Sequence, residues 1–102
     1  MTGLRVSWEH VEQVRHTLSH RAARRITQAQ FARLLGMSLS GINDWRPKAS
    51  GTPYREVPAS AVACMAALLA LPPAELAKHI EQVLSTGDAL HALQGALNEM
   101  ET

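Results

Sequence analysis

The sequence predicts an all-α fold, a compact domain of five to six short helices. Three observations predict it. Apolar residues recur at three- and four-residue steps along most of the chain. Caps, glycines and prolines punctuate it at short intervals. No alternating apolar–polar run is long enough for a strand, Val57 and a few scattered β-branched residues aside. The 102 residues suffice for one domain with a modest core. With 46% hydrophobic and 19% charged residues the composition is globular and excludes a disordered chain.

The first helix is expected to start after Ser7, a suitable N-cap, with Trp8, Val11, Val14 and Leu18 as its inward stripe. It fades through the polar, basic residues 19–25. The second has a fuller start signal. Thr27 and Gln30 stand at capping-box spacing, and Ile26 and Phe31 at the two positions of a hydrophobic staple. Phe31, Leu34 and Leu35 give it a buried face, and Gly36 ends it where a left-handed residue is required. Ser38 caps the third helix, Met37 and Ile42 form a second staple, and Pro47 stops it.

Residues 47–58 form a loop with three prolines. A fourth helix over 59–71 follows Pro58, and Pro72–Pro73 break the chain and open a fifth, with Leu76, Ile80, Val83 and Leu84 on one side. Thr86–Gly87 reads as a turn, and Asp88 as the cap of a last helix carrying Leu90, Leu93, Leu97 and Met100. On this reading residues 1–71 form one unit, and 72–102 a helical extension packed on it.

The net charge of +1 hides a segregation. Residues 1–55 hold nine of the ten Lys and Arg against three acids, a net +6. Residues 56–102 hold Lys78 against six acids, a net −5. Such a division suits one face on a polyanion and the other turned away.

Residues 27–46 carry the functional signal. Two short helices joined by a tight glycine turn are the pattern of a DNA-binding helix-turn-helix. Ala32 lets the helices approach, and Ile42 and Trp45 lock the third helix onto Phe31 and Leu35. With Ile42 inward, Ser40, Asn43 and Asp44 project to the opposite side, the side that enters a major groove. Asn pairs with adenine, a carboxylate accepts from cytosine, and Ser serves several bases. Asp44 either reads a cytosine or orients a basic neighbour such as Arg46 or Lys48. Gly41 removes bulk where the helix passes the DNA backbone. Gln28 and Ser38, with Arg46, Lys48, Tyr54 and Arg55 of the following loop, are the candidate phosphate contacts. The loop is expected to lie along the backbone as an improvised wing.

Thr27, Gln28, Phe31–Ala32, Leu35–Gly36, Ser38, Ile42 and Trp45, with Pro58 and the apolar 62–71, resemble the lambda-repressor/Cro-like, or XRE-type, helix-turn-helix family. The resemblance covers residues 11–71. It implies a compact five-helix DNA-binding domain in which Gln28, Ser38, Ser40, Asn43 and Asp44 approach DNA. Two features depart from the family. Arg46 stands where an acid is frequent, and the link at 47–58 is longer.

The expected function is therefore a sequence-specific, double-stranded DNA-binding transcriptional regulator, a homodimeric repressor on a two-fold operator. Leu90, Leu93, Leu97 and Met100, packed with Leu76, Ile80 and Leu84, would form the two-fold interface. The alternative for these residues is closure of the monomer's own core. Rival functions are an antitoxin that autoregulates its operon and a protein-interaction module that binds no DNA.

No enzymatic activity, cofactor or metal is expected. No phosphate loop, nucleophile elbow or paired catalytic carboxylates stand out. Glu12, His16 and His20 share a helix face but have no completing cluster. Cys64 stands alone in an apolar stretch and reads as a buried thiol. No apolar run reaches the ~20 residues that span a bilayer. The N-terminus lacks a signal-peptide pattern, and a cytoplasmic location is expected.

Overall fold

The computed structural model describes the backbone of residues 6–100, and the side chains of these except 87–92. It is all-α. Five helices are present among the described residues: α1 (Trp8–Arg21), α2 (Gln28–Leu34), α3 (Leu39–Asn43), α4 (Ala59–Ala70) and α5 (Pro73–Met100). One core serves all five. It contains Val11 and Leu18 of α1, Phe31, Ala32 and Leu34 of α2, Ile42 of α3 with Trp45 beyond it, Met65 and Leu68 of α4, and Leu76, Ile80 and Leu84 of α5.

The starts of the first three helices follow the expected caps. The Ser7 hydroxyl accepts from the His10 amide, and the His10 ring accepts from the Ser7 amide, a reciprocal box whose histidine half the sequence reading missed. Thr27 and Gln30 make the anticipated box, and Ser38 accepts from the Gly41 amide. Ile26 and Phe31 are both fully buried, as a staple requires.

α1 and α2 end in the same way. The Gly36 amide donates to the Arg33 carbonyl and the Met37 amide to Ala32, with Gly36 at φ 71°. At the end of α1 the Ala23 amide donates to His20 and the Arg24 amide to Ser19, with Ala23 at φ 53°. Both are Schellman closures, which need a left-handed residue. Gly36 announces this in the sequence, whereas Ala23 adopts it against its own preference. Ser19 and Arg15 hold the α1–α2 turn in place. The Ser19 hydroxyl accepts from the Ile26 amide, and an Arg15 Nη donates to the Ile26 carbonyl at 2.8 Å.

α3 is shorter than the sequence predicts. It stops at Asn43, because the next amides turn to three-residue bonds: Trp45 to Ile42 and Arg46 to Asn43. Pro47 disfavours a helical Arg46, so the turn tightens before the proline is reached. α4 carries no basic residue in its last turn. Arg21 supplies that charge from α1, donating to the carbonyls of Leu69 and Leu71 at 2.7 and 3.0 Å.

Two expectations about the C-terminal part are corrected. There is no turn at Thr86–Gly87 and no separate helix capped by Asp88, because α5 runs unbroken over 28 residues. A glycine costs a helix only ~1 kcal/mol, and no proline interrupts the ladder beyond Pro73. Nor do Leu76, Ile80 and Leu84 lie on a surface available to a second subunit. They pack in the chain's own core, where α5 crosses α2 and α1. The distal part of α5 leaves that core. Leu93, Leu97 and Met100 are 55%, 45% and 81% exposed, so these three do not close the monomer. Leu90 lies outside the described side chains. The radius of gyration, 15.8 Å, exceeds the ~13 Å of a compact chain of this length, as a projecting helix end requires.

Candidate nucleic-acid interface

α3 is held from below and open above. Ile42 and Trp45 are 1% and 3% exposed, and both belong to the common core. Ser40 and Asn43 are exposed and Asp44 is half-buried. At 3.6 residues per turn these three and Leu39 occupy about 140° of the helix circumference, away from Ile42. Leu39 is 41% exposed on this face. Sequence reasoning missed it, since a leucine three residues before a buried isoleucine reads as core. On a groove-facing surface its methyl groups match a thymine methyl.

The expected backbone contacts divide into two groups. Ser38, Gly41 and Gln28 already have structural tasks. The Ser38 hydroxyl caps α3 and lies 3.3 Å from the Ser40 hydroxyl. A Cβ on Gly41 would stand 3.3 Å from both the Met37 methyl and the Ser38 hydroxyl, so the missing side chain protects the cap. The sequence reading explained Gly41 by approach to DNA, and the cap is a nearer reason. The Gln28 carboxamide donates to Glu12 at 2.5 Å and accepts from Arg46 at 3.4 Å. Gln28 thus couples α1 to the exit of α3.

Glu12 anchors this network. Arg15 Nε lies 2.7 Å from its carboxylate, and the Glu12 side chain is 22% exposed. Burial raises its pKa, but hydrogen bonds from Arg15 and Gln28, with the charges of Arg15 and His16, outweigh it. The carboxyl is held below its ordinary value. Glu12 is therefore engaged with cations and an amide. Among the described residues no three His, Cys, Asp or Glu gather as a metal ion requires.

Arg46, Lys48, Tyr54 and Arg55 form the second group, and all four are exposed. Their loop is ordered by its own bonds. Pro47 and Pro53 form an isolated antiparallel bridge, the Lys48 amide donates to Thr52, and the Gly51 amide donates to Lys48 with Gly51 at φ 83°. This is a small hairpin-like tip, which no alternating sequence run announces. Lys48 sits over the Tyr54 ring and Arg46 over Trp8. The Arg55 amide donates to the Asp44 carbonyl at 3.0 Å, and its Nε lies 3.7 Å from the Asp44 carboxylate. Asp44 thus meets a basic neighbour, but Arg55 instead of Arg46 or Lys48.

The assembled elements are a polar helix face with one exposed leucine, Arg55 beside its Asp44, and the exposed Arg46 and Lys48 in the segment that follows the helix. Cys64 lies apart, half-buried, with its thiol 3.5 Å from the Leu34 carbonyl. No protein-family model, curated protein or solved structure matches the chain. No helix among the described residues is long and apolar enough to cross a membrane.

Proposed function

We propose that the protein is a sequence-specific, double-stranded DNA-binding regulator whose α2 and α3 form a helix-turn-helix of the lambda-repressor-like type. The observation that carries this reading is the exposed Leu39–Ser40–Asn43 face on a helix anchored by Ile42 and Trp45, with the exposed cations Arg46, Lys48 and Arg55 in the segment that follows it. Asn43 and Ser40 read base edges in the major groove. Arg46, Lys48 and Arg55 of the hairpin-like loop neutralise phosphates, and the acidic second half of the chain faces away.

The protein acts as a homodimeric repressor. A five-residue reading helix covers few base pairs, and two copies on half-sites about one DNA turn apart, ~34 Å, supply the missing contacts. Leu93, Leu97 and Met100, with Leu90, form the seam between copies. Leu93, Leu97 and Met100 are exposed large hydrophobics on the distal part of α5 and stand outside the core cluster. No catalytic chemistry is assigned.

Selection of bound duplexes from a random pool tests the reading. A conserved two-fold motif is the expected result. Recovery of no motif, together with no salt-dependent binding to random duplex, refutes it.

A further inference from the structure

A cleft of about 870 Å³ opens between the first turn of α1, the 47–57 loop and one side of α4. Small-molecule sites fall in the range of roughly 300–1,000 Å³ and are mainly apolar with a few placed polar groups. Trp8, Trp45, Tyr54, Val57 and Val62 line this one, so three of the chain's four aromatic residues meet here. Arg55 stands in the wall, and Lys48 lies on the Tyr54 ring at its edge. Glu56, the acid in the wall, already holds an interaction of its own.

We propose that the cleft binds a small aromatic carboxylate, its ring against Trp8 and Tyr54 and its carboxylate on Arg55. The aromatic walls suit a flat apolar ring set against the ring surfaces that Arg46 on Trp8 and Lys48 on Tyr54 leave open, and these cations with Arg55 favour an anion over a cation or a neutral ligand. Arg55 is available for this. Its Nε is 3.7 Å from Asp44, and the two side chains are 78% and 41% exposed. An exposed pair at that distance is weak. A ligand carboxylate that takes the guanidinium fork with two parallel bonds displaces it. Asp44 and the ligand therefore compete for Arg55. Asp44 is the C-cap residue of α3, and its backbone stays bonded to Ser40, Ile42 and the Arg55 amide, so an occupied cleft releases only its carboxylate, at the end of that helix. An effect on DNA affinity rests on the DNA-binding reading above, whereas the binding itself does not.

The test uses indole-3-acetate and its neutral amide as probes against the nitrogen-15-labelled full chain, without DNA. The chain has two tryptophans, and both line the cleft, so their indole N–H signals report occupancy directly. Both signals are expected to move, with the acid binding about fivefold or more tighter than the amide, in keeping with a charge-assisted pair. Arg55→Gln should erase that preference. Asp44→Asn should tighten the acid by about two- to threefold, because the competitor is gone. Unmoved indole signals at millimolar probe, or equal binding of acid and amide, would overturn the site. An Asp44→Asn chain that binds the acid no better overturns the competition. Because no DNA is present, failure here leaves the regulator reading intact, and failure to bind DNA leaves the cleft intact.

Discussion

The Arg46 guanidinium lies over the indole of Trp8, 5.1 Å from the ring centroid, and thereby joins the exit of α3 to the first turn of α1. The same guanidinium reaches the Gln28 carboxamide, which is itself bound to Glu12. Three helices are thus tied at the edge of the candidate reading face. An exposed cation–π pair contributes ~0.5–1 kcal/mol. A double-mutant cycle of Trp8→Ala and Arg46→Ala, followed by urea unfolding, should return a coupling of that size. A coupling of zero would mean that the stacking has no energetic weight.

The proposed reading face predicts separable losses. Asn43→Ala should cost roughly 1–3 kcal/mol of specific binding and relax preference at one or two base positions. Lys48→Ala should weaken all duplexes about equally and lower the salt slope of log K by about 0.9. Binding isotherms at several salt concentrations distinguish the two. An unchanged Asn43→Ala protein that still discriminates sequences would relocate the reading face.

Glu12 predicts a pH dependence. Its folded pKa lies below its ordinary value of 4.5, so the ionised form stabilises the fold. That contribution is fully present above the unfolded pKa and is lost as pH falls through the folded one. Glu12→Gln removes the charge but keeps an acceptor. The stability gap between wild type and Glu12→Gln should be constant near neutrality and shrink to nothing in acid below 4.5. A gap independent of pH would assign the effect to packing.

The two left-handed helix ends predict opposite signs. Gly36→Ala should destabilise by about 1 kcal/mol through backbone strain, since nothing lies within 4 Å of the added Cβ. Ala23→Gly should relieve strain at φ 53° and stabilise by up to ~1 kcal/mol. Thermal melts of both variants check this directly. A destabilising Ala23→Gly would show that its entropic cost exceeds the strain relieved.

The proposed seam on α5 predicts a change of assembly without loss of fold. Leu93→Glu with Leu97→Glu should give a monomer by light scattering while the helical circular dichroism persists. Neither side chain belongs to the core. A dimer that survives the double substitution would place the interface elsewhere.

Local chemistry made much of the fold legible in advance. Thr27 and Gln30, Ser38, Gly36 and Pro58 sit where the chain starts and stops its helices, and a cap or a left-handed turn depends on neighbours only a few residues away. Val11, Leu18, Phe31, Ile42 and Trp45 are buried as their spacing required. The sequence by itself thus determined the all-α class, the starts of all five helices and the inward face of α3.

Tertiary structure decided what depends on distant partners. It turned Gln28 toward Glu12, paired Asp44 with Arg55, and used Arg21 to cap α4 from a neighbouring helix. It left Leu39 on the surface while burying Leu76, Ile80 and Leu84, although spacing alone treats all four as candidates for a core. It also carried α5 through Gly87, where a local glycine signal was outweighed by the continuing hydrogen-bond ladder. Periodicity tells which side of a helix is apolar. Only the packed arrangement sets how far along the helix that side is covered, and at Leu93 the side chain is already exposed and outside the core.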